Sequence, residues 1–148
     1  MKKLFIYFSI TGNGNKVADY LKDKGYEIRR VIEKKKPSKI FFFMVLGGGF
    51  RAGLNLKAKL IDYNPDVSEY DEIVIGSPIW NARFTPALNS VLKQTNLEGK
   101  KLTFVFYSGS GEGKVALKKA NKLFPEANVI FLKEPRTFDE ELEKLKDL

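Results

Sequence analysis

The chain has 148 residues, 43% of them hydrophobic, and a formal net charge of +8. That is enough for one domain with a real core, and it argues against disorder. Cysteine and histidine are both absent, which excludes disulfides, thiolate chemistry, cysteine- or histidine-ligated metal sites, a histidine base and any Ser-His-Asp triad.

Met1-Lys2-Lys3 precedes the apolar run Leu4-Phe5-Ile6-Tyr7-Phe8. The run is too short for a secretory signal, so it reads as a strand near 3–8 and the cytoplasm is the expected compartment. Ser9-Ile10-Thr11-Gly12-Asn13-Gly14-Asn15 comes next, and helical periodicity near 14–24 succeeds it. A hydroxyl-, amide- and glycine-rich loop between a strand and a helix can hold a phosphate. The helix start offers unpaired N–H groups and partial positive charge, glycine allows close approach, and Ser9 and Thr11 add hydroxyl donors. The simpler alternative is N-capping of the helix by Asn13 or Asn15.

A second strand is expected near 26–31. Residues 33–60 are irregular: Lys34, Lys35, Lys36, Lys39, Arg51, Lys57 and Lys59 stand against Glu33 alone, most of the net charge of the chain. Pro37 breaks the lysine run. Ile40 to Leu46 is apolar throughout and leads to Gly47-Gly48-Gly49-Phe50. This stretch is too short to span a bilayer. It reads either as a buried turn capping one side of the sheet, or as a basic-flanked apolar surface for an acidic partner or a membrane interface, with Phe41, Phe42, Phe43, Phe50 and Arg51 carrying it. Membrane contact is the less favoured of these, and specific nucleic-acid binding is not expected.

Strands near 71–76, 102–107 and 128–132 complete the set, with helices near 84–94, 113–123 and 138–147. Ile73-Val74-Ile75 and Phe104-Val105-Phe106 are apolar without interruption, as suits strands buried on both faces. The alternation predicts a five-stranded parallel sheet in a three-layer α/β/α sandwich, one domain over 1–148. In the terminal helix Phe138, Leu142 and Leu145 are expected to face inward.

Ligands of open α/β sheets bind beyond the carboxyl ends of the strands. Three segments meet there in a sheet ordered 2-1-3-4-5: the loop at 9–15, Gly76-Ser77-Pro78-Ile79-Trp80-Asn81-Ala82-Arg83-Phe84, and Tyr107-Ser108-Gly109-Ser110-Gly111-Glu112-Gly113. Trp80, the only tryptophan, offers a flat face for a ring, or else packs in the core. The Ser-Gly-Ser-Gly segment exposes backbone groups that can bond a heteroaromatic edge, or else is an ordinary turn. Together the three describe a site for a flat mononucleotide.

With Ser9-Ile10-Thr11-Gly12-Asn13, Gly76-Ser77-Pro78-Ile79-Trp80 and Ser108-Gly109-Ser110-Gly111 in order along nearly the whole chain, the sequence resembles the flavodoxin family in its short-chain form. The resemblance implies a flavodoxin-like sandwich and non-covalent FMN without a metal. It implies Ser9, Ile10, Thr11, Gly12, Asn13 and Gly14 at the phosphate with Asn15 close by. Ser77, Pro78, Ile79, Trp80 and Asn81 fall around the isoalloxazine, and Ser108, Gly109, Ser110 and Gly111 along its polar edge. It implies a backbone carbonyl near Asn81 that can bond N5–H of reduced flavin, and a small electron carrier working between redox-protein donor and acceptor. The alternatives are an FMN-dependent oxidoreductase on the same fold, with Glu112 and Arg83 as candidate carboxylate and anion anchor, and a cofactor-free basic binding domain.

The chain departs from the family at Gly14, where a hydroxyl residue is common and for which Asn15 is the candidate to compensate, and in the 108–113 segment, which lacks a stacking tyrosine and so leaves the outer ring face either open or covered by another segment, such as Phe50 or Phe84. A dinucleotide fingerprint fails at Val17, Lys16 lacks P-loop spacing, and Ser9 and Ser77 stand where a phospho-acceptor receiver needs acids. Few carboxylates lie in these loops, so repulsion of anionic reduced flavin is weak and a less negative potential for full reduction is expected than in the acidic members. A redox titration giving a potential as low as theirs would contradict this.

Overall fold

Alternation of side chains along each strand sets the two faces of the sheet. The computed structural model describes residues 1–34 and 57–148; the apolar segment at 40–46, Phe50 and most of the basic stretch lie outside the described residues. The strands are β1 (Lys3–Tyr7), β2 (Glu27–Arg30), β3 (Glu72–Trp80), β4 (Arg83–Phe84), β5 (Lys101–Ser108) and β6 (Asn128–Lys133). The helices are α1 (Asn13–Asp23), α2 (Pro86–Gln94), α3 (Lys114–Leu123) and a 3₁₀ helix (Asp139–Leu145). The sheet runs β2-β1-β3-β5-β6 with every pair parallel, which is the expected order of five strands.

On one face Leu4, Ile6, Ile73, Ile75, Phe104 and Phe106 pack with Ala87, Leu88 and Val91 of α2 and Ala116 and Ala120 of α3. On the other, Phe5, Tyr7, Val74, Val105 and Tyr107 pack with Val17, Ala18 and Leu21 of α1 and Leu142 and Leu145 of the 3₁₀ helix. Burial on both faces explains why these strands are continuously apolar. No helix among the described residues is long and apolar enough to cross a membrane.

Two elements differ from expectation. β3 continues through Gly76-Ser77-Pro78-Ile79-Trp80, expected from sequence to be loop, and β4 folds back on it antiparallel. Proline is tolerated there for a geometric reason. The Gly76 carbonyl accepts from Phe8 N–H on the β1 side, and polar groups two residues on point the same way. Beyond Gly76, β1 no longer pairs with β3, so the missing Pro78 N–H removes no ladder bond. The terminal helix is a seven-residue 3₁₀ segment rather than an α-helix over 138–147. Glu141 reaches back to Lys133 N–H at 2.9 Å, tying the segment to the end of β6. Leu142 and Leu145 face inward as expected, and Phe138 is half-buried.

One ion pair anchors the opposite edge. Glu72, 1% exposed, accepts hydrogen bonds from the Tyr26 hydroxyl and from Lys101 Nζ, the latter at 3.0 Å. Burial works to raise its pKa, but the bonds from Tyr26 and Lys101 and the Lys101 charge together hold it below the usual carboxylate value. A depressed folded-state pKa stabilises the fold above the unfolded carboxylate pKa, and that contribution is lost as pH falls through the folded value. Glu72→Gln keeps a partner for Tyr26 and removes the charge. It is expected to cost about 1–3 kcal/mol at neutral pH and to flatten the acid side of the stability–pH curve, measured by denaturant unfolding at stepped pH.

Candidate functional site

The carboxyl ends of β1, β3 and β5 lie side by side, as the pairs Tyr7–Gly76 and Pro78–Tyr107 show. At the end of β1 the chain turns through Gly12, whose φ is +93°, into α1. No asparagine caps the helix. Ser9 Oγ does so from the strand end, accepting Gly12 N–H at 3.2 Å and Gly14 N–H at 3.0 Å. Lys16 N–H reaches the Gly12 carbonyl at 3.2 Å. The N–H groups of Asn13 and Asn15 meet no acceptor among the described residues, leaving two donors of the first helical turn for an anion. Asn13 Nδ2 donates to Thr11 Oγ1 at 3.2 Å, so the loop is held in shape by its own polar side chains.

Beneath the loop lie two tyrosines. Tyr107 donates its hydroxyl to the Phe8 carbonyl, and Tyr7 donates to Asn15 Oδ1 at 3.0 Å. Burial raises both phenols, Tyr107 well above the ordinary value, so both remain donors at neutral pH. This floor explains Gly14. A Cβ there would stand 2.5 Å from Tyr107 Oη, 2.7 Å from Tyr7 Cδ2 and 2.8 Å from Ser9 Cβ. The hydroxyl common at this position in the flavodoxin family has no room.

β3 and β4 meet in the two-residue turn Asn81–Ala82, both with left-handed φ, +48° and +60°. This is the conformation that suits tight hairpins. The Ala82 carbonyl accepts Ala116 N–H at 2.8 Å, pinning the turn to the start of α3. Asn81 is exposed, and Pro78 is half-buried. Ser77 is 1% exposed, and its hydroxyl is engaged by the Pro78 carbonyl at 2.8 Å and Thr85 Oγ1 at 3.0 Å. It supports the edge from below. Ile79 is buried. Trp80 is only 7% exposed and packs edge-on against Phe8, with ring centroids 6.4 Å apart, so it takes the core-packing alternative and presents little open face. Phe84 is likewise a core residue, 4% exposed and tilted against the rings of Phe104 and Phe106, and does not cover a ring at the edge. Arg83 is half-buried and Glu112 exposed.

After β5, Ser108 Oγ accepts Gly111 N–H at 2.9 Å and Ser110 Oγ accepts Glu112 N–H at 3.3 Å. The serines thus shape the turn. Gly109 and Ser110 are exposed, and a Cβ on Gly109 would meet nothing within 4 Å, so this backbone is open to a ligand edge. Cavities of about 350 and 540 Å³ lie at the opposite edge, around Lys101 and Leu102, away from these loops. Among the described residues no group of histidine, cysteine or carboxylate side chains could hold a metal.

Sequence reasoning missed one arrival. The segment after β6 returns across the sheet edge, and Arg136 donates its backbone N–H to Asn13 Oδ1 at 3.1 Å and its guanidinium to the Thr11 carbonyl at 2.5 Å. The rule that located the other loops, at the carboxyl end of each strand, applies equally to β6 and leads to Arg136 three residues past Lys133. The packing at Gly14 yields a paired expectation. Gly14→Ala should cost about 1–3 kcal/mol through overpacking, while Gly109→Ala should stay within about 0.5 kcal/mol, both read by denaturant unfolding.

Comparison with known proteins adds to this geometry. Residues 1–140 match the family model of NADPH-dependent FMN reductase. No curated protein matches the sequence. Among solved structures, a protein of Bacteroides uniformis assigned to the flavoproteins is similar with a TM-score of 0.71 at 22% identity, over 86% of this chain and 85% of that one. A Lactobacillus acidophilus flavoprotein in complex with FMN is similar with a TM-score of 0.62 at 19% identity, over 94% of this chain and 97% of that one. Likeness at such identities speaks for the flavodoxin-like fold; the family match spans nearly the whole chain, and on it this protein belongs to the NADPH-dependent FMN reductase family of FMN-binding flavoproteins.

Proposed function

We propose that the protein is an FMN-dependent oxidoreductase that takes reducing equivalents from a nicotinamide dinucleotide. The observation that carries this reading is the family match over residues 1–140. The residues at the sheet edge fit the cofactor. Ser9, Thr11, Asn13 and the first turn of α1 form an anion cradle of neutral donors, and Gly12 leaves the backbone open to close approach. The exposed Asn81 and the backbone at Gly109 and Ser110 supply donors and acceptors for a ring edge. Bound there, FMN supplies a ring that accepts a hydride and releases electrons singly or in pairs. The chain provides position and charge; Arg83, beside the Asn81–Ala82 turn, offers a cation to an anionic substrate at that edge.

A second reading, a small electron carrier between redox proteins, is favoured by the shortness of the Asn81–Ala82 turn, which builds no wall beyond the edge. An acidic protein partner docking on the basic 33–60 stretch suits that reading. Mixing FMN-loaded protein with NADPH without oxygen separates the two. Bleaching of the visible flavin band faster than that of free FMN is the expected result. A band that persists with NADPH, yet bleaches with a chemical reductant and recovers on adding an oxidised redox protein, would overturn the oxidoreductase in favour of the carrier.

A further inference from the structure

We propose that Arg136 makes this site selective for the phosphorylated flavin, acting as the one side-chain cation among the described residues that clasps the phosphate loop. The inference rests on the FMN reading of the site and names a residue that reading does not require. The other donors that the described residues place on the loop itself are neutral: the Ser9 and Thr11 hydroxyls, the Asn13 amide and backbone N–H groups. Arg30 acts on the tyrosine floor instead, its charge opposing the rise that burial gives the Tyr7 and Tyr107 phenols. Lys16, the nearby lysine on α1, is turned to Asp139 at 2.9 Å. Arg136 instead grips the loop at two points, through its backbone N–H to Asn13 and its guanidinium to the Thr11 carbonyl.

Its approach is built in. Arg136 Cδ lies 3.3 Å from where a Cβ of Gly12 would stand, and the +93° φ at Gly12 keeps that position for glycine. The segment carrying Arg136 is a tight turn in which Thr137 and Phe138 N–H both donate to the Glu134 carbonyl, at 2.8 and 3.0 Å, with Glu134 at a φ of +38°. Such a turn brings the backbone of Arg136 to the loop, and the exposed side chain is held there by its bond to the Thr11 carbonyl. A guanidinium has five donors in a fixed fork, and the Thr11 carbonyl takes one. The remainder match phosphate oxygens, to which charge-assisted bonds are roughly twice as strong as neutral ones. The positive fork also stands in for the hydroxyl donor that Gly14 cannot supply.

FMN and riboflavin differ only in the phosphate, so they isolate this role. Binding of each to the full-length protein is measured by quenching of flavin fluorescence, at low and high salt, for wild type, Arg136→Gln and Arg136→Lys. The expected result is that Arg136→Gln weakens FMN by about tenfold or more and flattens its salt dependence, while riboflavin binding is unchanged. Arg136→Lys should recover part of the FMN affinity, because it keeps charge without the fork. Equal loss for both flavins would assign Arg136 a merely structural role, and no loss for FMN would remove it from the site; either overturns the inference alone. Wild-type protein that binds neither flavin would overturn the FMN reading and the inference with it.

Discussion

There is no room for one more carbon atom above Gly14. At that point α1 descends onto the ends of β1 and β5, and the helix backbone touches Ser9, Tyr7 and Tyr107 together. The contact fixes the height and direction of the helix start, and so where its free N–H groups point. It also places Ser9 Oγ to accept two of the N–H groups that would otherwise compete for a ligand. The Tyr107 hydroxyl, bonded to the Phe8 carbonyl, locks the strand end in the same arrangement. A loop with no regular structure of its own is thereby shaped by buried aromatic residues of two strands.

The rest of the edge keeps the same pattern of buried support beneath exposed backbone. Ser77 and Thr85 join β3 to the start of α2, the Ala82 carbonyl joins the hairpin turn to α3, and the serines at 108 and 110 fold the last loop on itself. Preorganisation of this kind lowers the ordering cost of binding. It also divides the residues of the three motifs. Thr11, Asn13, Asn81, Gly109 and Ser110 stand at or near the surface, whereas Ser77, Ile79 and Trp80 hold the edge from within.

The sheet was legible because burial on both faces leaves a plain mark, runs such as Ile73-Val74-Ile75 that no surface strand would carry. Alternation with helices pointed to a parallel sheet, and the order of strands was that of the flavodoxin-like sandwich which the glycine- and hydroxyl-rich loops resemble. Less legible was β3 beyond Gly76. Gly-Ser-Pro reads locally as a turn, and only the ending of β1 beside it makes proline harmless in the strand. Trp80 was ambiguous for a related reason: a large aromatic beside Asn81 fits a loop or a core, and its packing on Phe8 is a tertiary fact. The one signal for Arg136 was its place just past the end of β6; its partners Thr11 and Asn13, more than a hundred residues away in sequence, gave none. The terminal segment shows the limit of periodicity, which located Leu142 and Leu145 on the inner side without distinguishing an α-helix from a 3₁₀ turn.

The central claim is that the edge formed by β1, β3 and β5 holds FMN. Its most direct test is equilibrium titration of the purified full-length chain with FMN, monitored by visible absorbance and flavin fluorescence. Saturable, stoichiometric binding with quenched fluorescence that Gly14→Ala weakens is the predicted result. Absence of binding by well-folded wild-type protein, or binding indifferent to that substitution in a variant shown to be folded, would contradict the account.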